Sequence, residues 1–406
     1  MGTLSVLVLV LLWNLAIPVE WVREQFPLLV NLQMEFHQLL SYLDFREISV
    51  DRVALVEIDD KSFYHPPFSG IQPTNRRAIA DLAKTAAESG ALVVAIDFQL
   101  KSPFAYPGDD DVRSLDNRYL LDTLGNVAKS GTPVVITCGF VRKGRSEWIR
   151  EPNIVDDGML PPGVAVGYIN IPVDSREIPL EETAWNWDGG PKTSFDSFAL
   201  QIVSSYEGVK RIYPATKQKK AIVGALKHHE FVYGGFLKNS AFSHSLISTQ
   251  DLLAGSDEAR KLCRGRIVMI GGDWHQYGEN RGPPIEKFRS PVGDIPGLFL
   301  HANYVEALLD NNFRPAVPAW FGVTFDLVVG ILLYICFHAV KRVVGRIGVL
   351  VVFSVPAWAT YFLFANLGRY LDFVLPLSLC FIHLAYQLVE NYIRMRRGPK
   401  IHASAV

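Results

Sequence analysis

This sequence contains few cysteines, and it has no large excess of positive or negative charge. Its 406 residues include only 4 Cys, and 40 Lys and Arg stand against 41 Asp and Glu. So few cysteines exclude a small disulfide-stapled fold, and the balanced charge excludes a basic nucleic-acid binder. Hydrophobic residues make up 49% of the chain, which excludes intrinsic disorder. We therefore expect a folded protein that does not bind nucleic acid.

Motifs for nucleotide, zinc and acyl-transfer chemistry are also missing. The segment 271–275 follows an apolar run but lacks both the glycine spacing and the lysine of phosphate-binding loops. His244, His275 and His301 do not have the spacing of zinc ligands, and no serine lies in a nucleophile elbow. We predict a protein that is not an enzyme and has no catalytic residue, cofactor or metal.

Charged residues are rare at both ends of the chain. Residues 1–19 carry none, and four segments approach the length of a membrane-spanning helix: 3–19, 319–340, 347–366 and 370–389. The first segment is either a signal anchor or a cleaved signal peptide, and the absence of a cleavage motif favours the anchor. The predicted organisation is a signal-anchor helix at 1–19, a polar domain at 20–318, three transmembrane helices at 319–392 and a basic tail at 393–406.

Basic residues in the short connections predict the orientation of these helices. Clusters at 341–346 and 394–400 are expected on the cytoplasmic side, which places the domain at 20–318 outside and the C-terminus inside. Cys138 and Cys263 then lie in an exported domain, where they either pair or remain as buried thiols. Asp326 lies inside the second segment, where a carboxylate is costly unless it is paired. We predict that Asp326 makes a polar contact between transmembrane helices; the alternative is that it reaches headgroup water.

Apolar runs alternate with helical patterns inside the polar domain. The runs at 52–58, 92–96, 133–138 and 266–272 are nearly continuous, as in strands that are buried on both faces. Helical spacing at 78–86 separates the first two runs. This order predicts an α/β fold with a mainly parallel sheet, and the whole chain is predicted to combine that domain with four transmembrane helices, one before it and three after it.

Four aspartates follow predicted strands and are the candidate ligand-binding residues. Asp59, Asp60 and Asp97 close two strands, and Asp273 follows a third. Ligands of open α/β sheets bind at the carboxyl ends of the strands, so these carboxylates are expected to converge on a cation or a cationic solute. Trp274 is expected to line the same pocket or to pack at its rim. The alternative is that the aspartates cap helices and bond to turn amides.

Five fragments in order resemble the type-2 CHASE domain, an extracytoplasmic sensory module of bacterial adenylate cyclases, histidine kinases and diguanylate cyclases. They lie at 56–60, 95–98, 167–170 with Pro179, 265–271 and 296–303. The arrangement of one span, the domain and three spans is also similar to that family. The resemblance implies a sensory function, and the short segment after the last predicted span leads us to expect a separate cytoplasmic signalling protein as the effector.

We therefore predict a multi-pass sensor subunit of the bacterial inner membrane, with the lipid bilayer, an extracytoplasmic ligand and a cytoplasmic signalling protein as partners. A homodimer through the helical pattern at 28–43 is one alternative; packing of that helix against its own domain is the other. An envelope scaffold without signalling is the alternative function. A metal-dependent exported enzyme built on Asp59, Asp97 and Asp273 has the least support.

Overall fold

The computed structural model of the protein describes residues 27–43, 50–70, 74–100, 112–143, 147–157, 160–212, 231–237, 239–278, 280–310, 312–315, 317–338, 348, 351, 354–363 and 371. Contacts divide the chain into two units. The larger is Ser41–Pro315, and the smaller combines Met1–Leu40 with Ala316–Val406. Each unit is described by itself.

The described residues form nine α-helices and fifteen strands. The helices are α1 (Pro27–Leu43), α2 (Asp60–Phe63), α3 (Arg76–Glu88), α4 (Val112–Lys129), α5 (Phe198–Ile212), α6 (Thr249–Leu253), α7 (Asp257–Cys263), α8 (Gly297–Leu309) and α9 (Ala319–His338). The strands are β1 (Val53–Asp59), β2 (Val93–Gln99), β3 (Val134–Cys138), β4 (Phe140–Lys143), β5 (Glu147–Arg150), β6 (Val164–Tyr168), β7 (Glu177–Pro179), β8 (Glu181–Trp185), β9 (Lys192–Asp196), β10 (Phe231–Gly234), β11 (Leu246–Ser248), β12 (Ile267–Asp273), β13 (Phe288–Ser290), β14 (Gly293–Ile295) and β15 (Phe313–Arg314).

A six-stranded parallel sheet forms the centre of the larger unit. Its strand order is β11-β1-β12-β2-β3-β6, and every neighbouring pair is parallel. The apolar stretches of β1, β2, β3 and β12 are completely buried, because helices cover both faces of the sheet. Helices α3 and α4 pack on one face, and α5 and α8 pack on the other. The predicted α/β fold with a mainly parallel sheet is confirmed.

Three smaller sheets surround the central one. They contain four strands (β4-β5-β8-β9), three strands (β15-β10-β7) and two strands (β13-β14). Most of their strands are short and only partly buried, so the apolar periodicity that predicts strands from sequence is weak in them. The sequence analysis accordingly missed the four-stranded sheet, which packs only a small apolar cluster around Phe140 and Tyr168.

The two cysteines in the larger unit are free thiols rather than a disulfide. Cys138 ends β3 and Cys263 ends α7, and both are buried. Burial raises the pKa of Cys138 to about 12 and that of Cys263 to about 11. Thiols of this kind behave as small hydrophobic side chains, so they contribute to packing and not to reactivity.

Glu306 of α8 fixes the start of β1. Its Oε1 accepts hydrogen bonds from the backbone N–H groups of Val53 at 2.9 Å and Arg52 at 3.2 Å. The Arg52 side chain in turn pairs with Asp310, the residue that follows the end of α8. Burial raises the pKa of Glu306 to about 7, although both backbone bonds and Arg52 favour the charged form. The carboxyl therefore stabilises the strand–helix junction mainly as a hydrogen-bond acceptor.

The predicted membrane module requires correction. Of the four predicted spans, the structure describes α9 at 319–338, residues 348, 351 and 354–363, and Leu371; the first span and nearly all of the fourth lie outside the described residues. Within the part that is described, no helix is long and apolar enough to cross a bilayer. The described part of the structure therefore does not show the predicted module of four transmembrane helices.

Two predictions concern the helices α1 and α9. The helical pattern at 28–43 is confirmed as α1, of 17 residues. Asp326 lies on α9 and is only 6% exposed. Its contact with another helix stays a prediction.

Replacing Glu306 with alanine is expected to destabilise the domain by about 2–4 kcal/mol, because two buried backbone donors at the start of β1 lose their acceptor. Glu306→Gln keeps an acceptor oxygen and should cost much less. Urea unfolding followed by circular dichroism measures both variants. Equal losses in the two variants would show that the negative charge of Glu306, and not its acceptor oxygen, stabilises the junction.

Candidate functional site

The carboxyl ends of three neighbouring strands bring acidic residues together. In the register of β1 and β12, Asp59 lies beside Asp273, and Glu57 lies beside Gly271. In the register of β12 and β2, Gly271 also lies beside Asp97. Side chains alternate along a strand and paired residues share a face, so these carboxylates project from the sheet face that α5 and α8 cover. The register thus places Asp59, Asp97 and Asp273 on one face at the same edge of the sheet, together with Glu57, and their convergence on a ligand stays a prediction.

Glu57 and Asp273 form a hydrogen-bonded carboxyl pair. Burial, the charge of Asp273, its hydrogen bond and the charge of Asp59 together raise the pKa of Glu57 to about 7. Burial also raises the pKa of Asp273. Two carboxylates cannot hydrogen-bond to each other without a proton, so the pair shares one near neutral pH.

Asp59 and Asp60 organise the local backbone. Asp59 accepts a hydrogen bond from the backbone N–H of Ser62 at 2.8 Å and so caps the short helix α2. Asp60 accepts three bonds from the loop after β12: from His275 N at 2.6 Å, from His275 Nδ1 at 2.8 Å and from Asn280 N at 2.7 Å. Partial burial acts to raise the pKa of Asp60, but these hydrogen bonds outweigh it, so the pKa is lowered. The capping alternative therefore describes what these two aspartates do in the fold.

Asp97 is a buried carboxyl group that is influenced by the charge of Glu286. Asp97 is 8% exposed, and its Oδ1 has no hydrogen-bond partner among the residues that the structure describes. Burial, followed by the charge of Glu286, raises the pKa of Asp97 far above its ordinary value, and burial raises that of Glu286. Gly297 at the start of α8 allows the close approach of Glu286, since a Cβ there would lie 2.6 Å from Oε2.

Trp274 belongs to the core and not to a pocket wall. It is 4% exposed, and its ring stacks on Phe63 with 3.9 Å between centroids and 4° between planes. Gly272 leaves room for this ring, because a Cβ at that position would collide with it. The rim-packing alternative for Trp274 therefore fits its environment better than ligand contact.

A cavity of about 330 Å³ opens where β1 and the edge strand β11 end. Four carboxylate residues line it: Glu57 and Asp59 from β1, Asp251 from α6 and Glu258 from α7. The rest of the lining consists of the hydroxyl residues Ser62, Ser243 and Ser248 and the apolar residues Leu246, Ile247, Ala259 and Leu262. This described lining contains no lysine, arginine or histidine, so the cavity is acidic throughout.

Sequence reasoning found one of the four acidic residues in this lining. Asp59 lines the cavity, whereas Asp60, Asp97, Asp273 and Trp274 lie outside its lining. Glu57 was missed although it stands two residues before Asp59 and therefore on the same face of the strand. Asp251 and Glu258 carried no signal, because only the pairing of β11 with β1 brings their helices to this edge.

A family comparison matches the chain to the CHASE2 domain over residues 4–339. The chain belongs to the CHASE2 domain family. The resemblance seen in the five sequence fragments is thereby confirmed, and CHASE2 domains are extracytoplasmic sensory domains. Comparison with curated proteins and with solved structures found no match.

Metal chemistry finds no support at this site of the CHASE2 domain. Among the described residues, no group of three or more His, Cys, Asp or Glu side chains is arranged to hold a metal ion. Asp59, Asp97 and Asp273 share a face of the sheet, but Asp59 caps a helix, Asp273 pairs with Glu57, and Asp97 lies near Glu286. The hypothesis of a metal-dependent enzyme built on these three residues therefore gains nothing from the geometry.

Asp60→Asn is expected to loosen the loop after β12, because the amide nitrogen that replaces one carboxylate oxygen cannot accept the bonds from His275 and Asn280. Hydrogen exchange of the amides at 275 and 280 should accelerate about tenfold or more. Asp294→Asn, on the β14 hairpin, is the matched control. Unchanged exchange at both amides in Asp60→Asn would show that other contacts hold the loop.

Proposed function

We propose that this CHASE2 domain is the ligand-binding part of a sensor and that it binds a small cationic solute in the acidic cavity beside β1 and β11. The observation that carries the proposal is the lining itself, in which four carboxylate residues meet without a basic side chain. A signalling protein separate from this chain is proposed to receive the signal. We propose a sensory and not a catalytic role for the protein.

The chemistry of the cavity favours an organic ammonium group over other ligands. Carboxylates and hydroxyls accept the N–H bonds that such a group donates, and an anion would meet only like charge. The apolar residues of the lining offer contact for the methylene groups of an alkylamine. The volume of about 330 Å³ lies at the small end of the range for ligand pockets, so the ligand is expected to be small.

Binding at this place can be coupled to conformation because the cavity joins separate elements. β1 belongs to the centre of the sheet, whereas α6 and α7 are helices of only five and seven residues. Asp251 and Glu258 on these helices line the cavity together with Glu57 and Asp59 of β1, and carboxylates that line one cavity repel one another where they are ionised. A cation between them replaces repulsion with attraction and favours the conformation in which the helices lie closest to β1.

The probe for this proposal is 1,4-diaminobutane, with 1,4-butanediol as a neutral control of similar shape. Isothermal titration calorimetry on the full-length protein at pH 8 is expected to show saturable binding of the diamine and none of the diol. Asp251→Asn and Glu258→Gln each remove one lining charge and should weaken binding by about fivefold or more, equivalent to ~1 kcal/mol.

Asp257→Asn is the matched control, because Asp257 is exposed on the same helix as Glu258 but does not line the cavity. It should leave the affinity for the diamine nearly unchanged. Absence of diamine binding, or an equal loss of affinity in Asp257→Asn and Glu258→Gln, would refute the cavity as the binding site.

A further inference from the structure

We infer that the acidic cavity exchanges a proton for its cationic ligand, and that this proton is the one shared by Glu57 and Asp273. The inference rests on the proposed function, because the ligand is the cation proposed for the cavity. It adds a regulation of that site: the domain reports the cation and the external pH together.

Glu57 is common to the acidic cavity and to the carboxyl pair with Asp273. It lines the cavity, and it is hydrogen-bonded to Asp273 on the neighbouring strand. The register explains how one side chain reaches both. The residue beside Glu57 on β12 is Gly271, which has no side chain, and Asp273 follows two positions later on the same face. A Cβ at 271 would collide with Leu298 and Asp97, so the close packing at this position requires glycine.

The groups around Glu57 favour a bound proton over a second negative charge. Asp59 lies on its own strand, and Asp251 and Glu258 line the cavity from α6 and α7. Around Asp273, burial and Asp60 act against ionisation, while Lys287 and His275 favour it. Cationic residues on the surrounding elements stand outside the described lining: Lys61, His244, Arg260 and Lys261. Burial, the charge and hydrogen bond of Asp273, and the charge of Asp59 raise the pKa of Glu57 to about 7.

The exchange replaces one proton with one ammonium group of the ligand and needs no further reactant. The O–H bond of the Glu57–Asp273 pair breaks, and its proton passes to solvent. An ammonium group of the ligand donates an N–H bond to the carboxylate that is left. Because the proton and the ligand compete, each stabilises the state that excludes the other.

Competition gives a specific dependence of affinity on pH. If the ligand binds only the ionised pair, affinity is constant well above pH 7 and falls about tenfold per pH unit below it. We expect the dissociation constant of 1,4-diaminobutane to be about tenfold higher at pH 6 than at pH 8. Alkylamines remain protonated over this range, so the ligand itself does not titrate.

Calorimetry of the full-length wild-type protein counts the proton directly. Titrations with 1,4-diaminobutane at pH 6.5 in phosphate and in imidazole, buffers with different heats of ionisation, should give apparent enthalpies that differ in proportion to the protons released. We expect about 0.7 proton released per ligand at pH 6.5 and less than about 0.2 at pH 8.

Two variants assign the proton to its site. Glu57→Gln cannot ionise, so it should abolish most of the proton release and flatten the pH dependence, while binding at pH 8 weakens. Glu258→Gln removes a lining charge on another element and should weaken binding but keep the release. Asp273→Asn tests the same carboxyl pair from the other strand. If either variant fails to fold, the wild-type titrations still show whether a proton is released when the diamine binds.

The outcomes separate this inference from the proposed function. Diamine binding with no proton release and with equal affinity at pH 6 and pH 8 would overturn the exchange and leave the cation sensor intact. Proton release that persists in Glu57→Gln would also overturn it. A complete lack of binding at pH 8 would overturn the proposed function and this inference together.

Discussion

Burial of the central sheet on both faces is the constraint on which the rest of the domain depends. Strands β1, β2, β3 and β12 have no solvated face, so their interiors consist mainly of apolar side chains. Polar residues are confined to the strand ends, and parallel strands place all their carboxyl ends at one edge. Acidic residues that the sequence distributes over more than 200 positions thus meet at that edge. The acidic site is a direct consequence of the parallel arrangement.

Much of this architecture follows from the sequence because continuous apolar runs have few alternatives. The strands at 53–59, 93–99, 134–138 and 267–273 coincide with such runs, and the order of strands and helices between them predicts the parallel sheet. The three-residue strand β11 has no periodicity to detect, yet it forms the edge beside which the cavity opens. Asp251 and Glu258 line the cavity only because β11 pairs with the distant strand β1, so the local sequence does not predict their position.

Local sequence also misjudged two residues whose environment is set by distant partners. Trp274 stands in a polar loop and was expected to line a pocket or to pack at its rim, but its ring is buried because Phe63 offers a stacking surface and Gly272 leaves the space. The free energy gained by burying an aromatic ring exceeds the preference of its polar neighbours for solvent. Glu57 is the opposite case: a charged residue near the end of a buried strand, passed over because it interrupts an apolar run. Such an interruption is itself a signal, since burial of a carboxyl is costly without a partner.

The cost of the acidic edge argues that it does more than complete the fold. Glu306 shows how the domain uses a buried carboxyl for structure, since it accepts two backbone bonds that would otherwise be lost. The Glu57 carboxyl is bonded to another acid, and the Oδ1 atom of Asp97 has no bond among the described residues. Apolar side chains at these positions would remove the electrostatic penalty without loss of a known backbone contact. Groups that burial and neighbouring acids push toward the neutral form can change charge when an external cation or proton arrives. A sensory domain gains from this property, because the ligand then acts on an equilibrium that the fold already holds near balance.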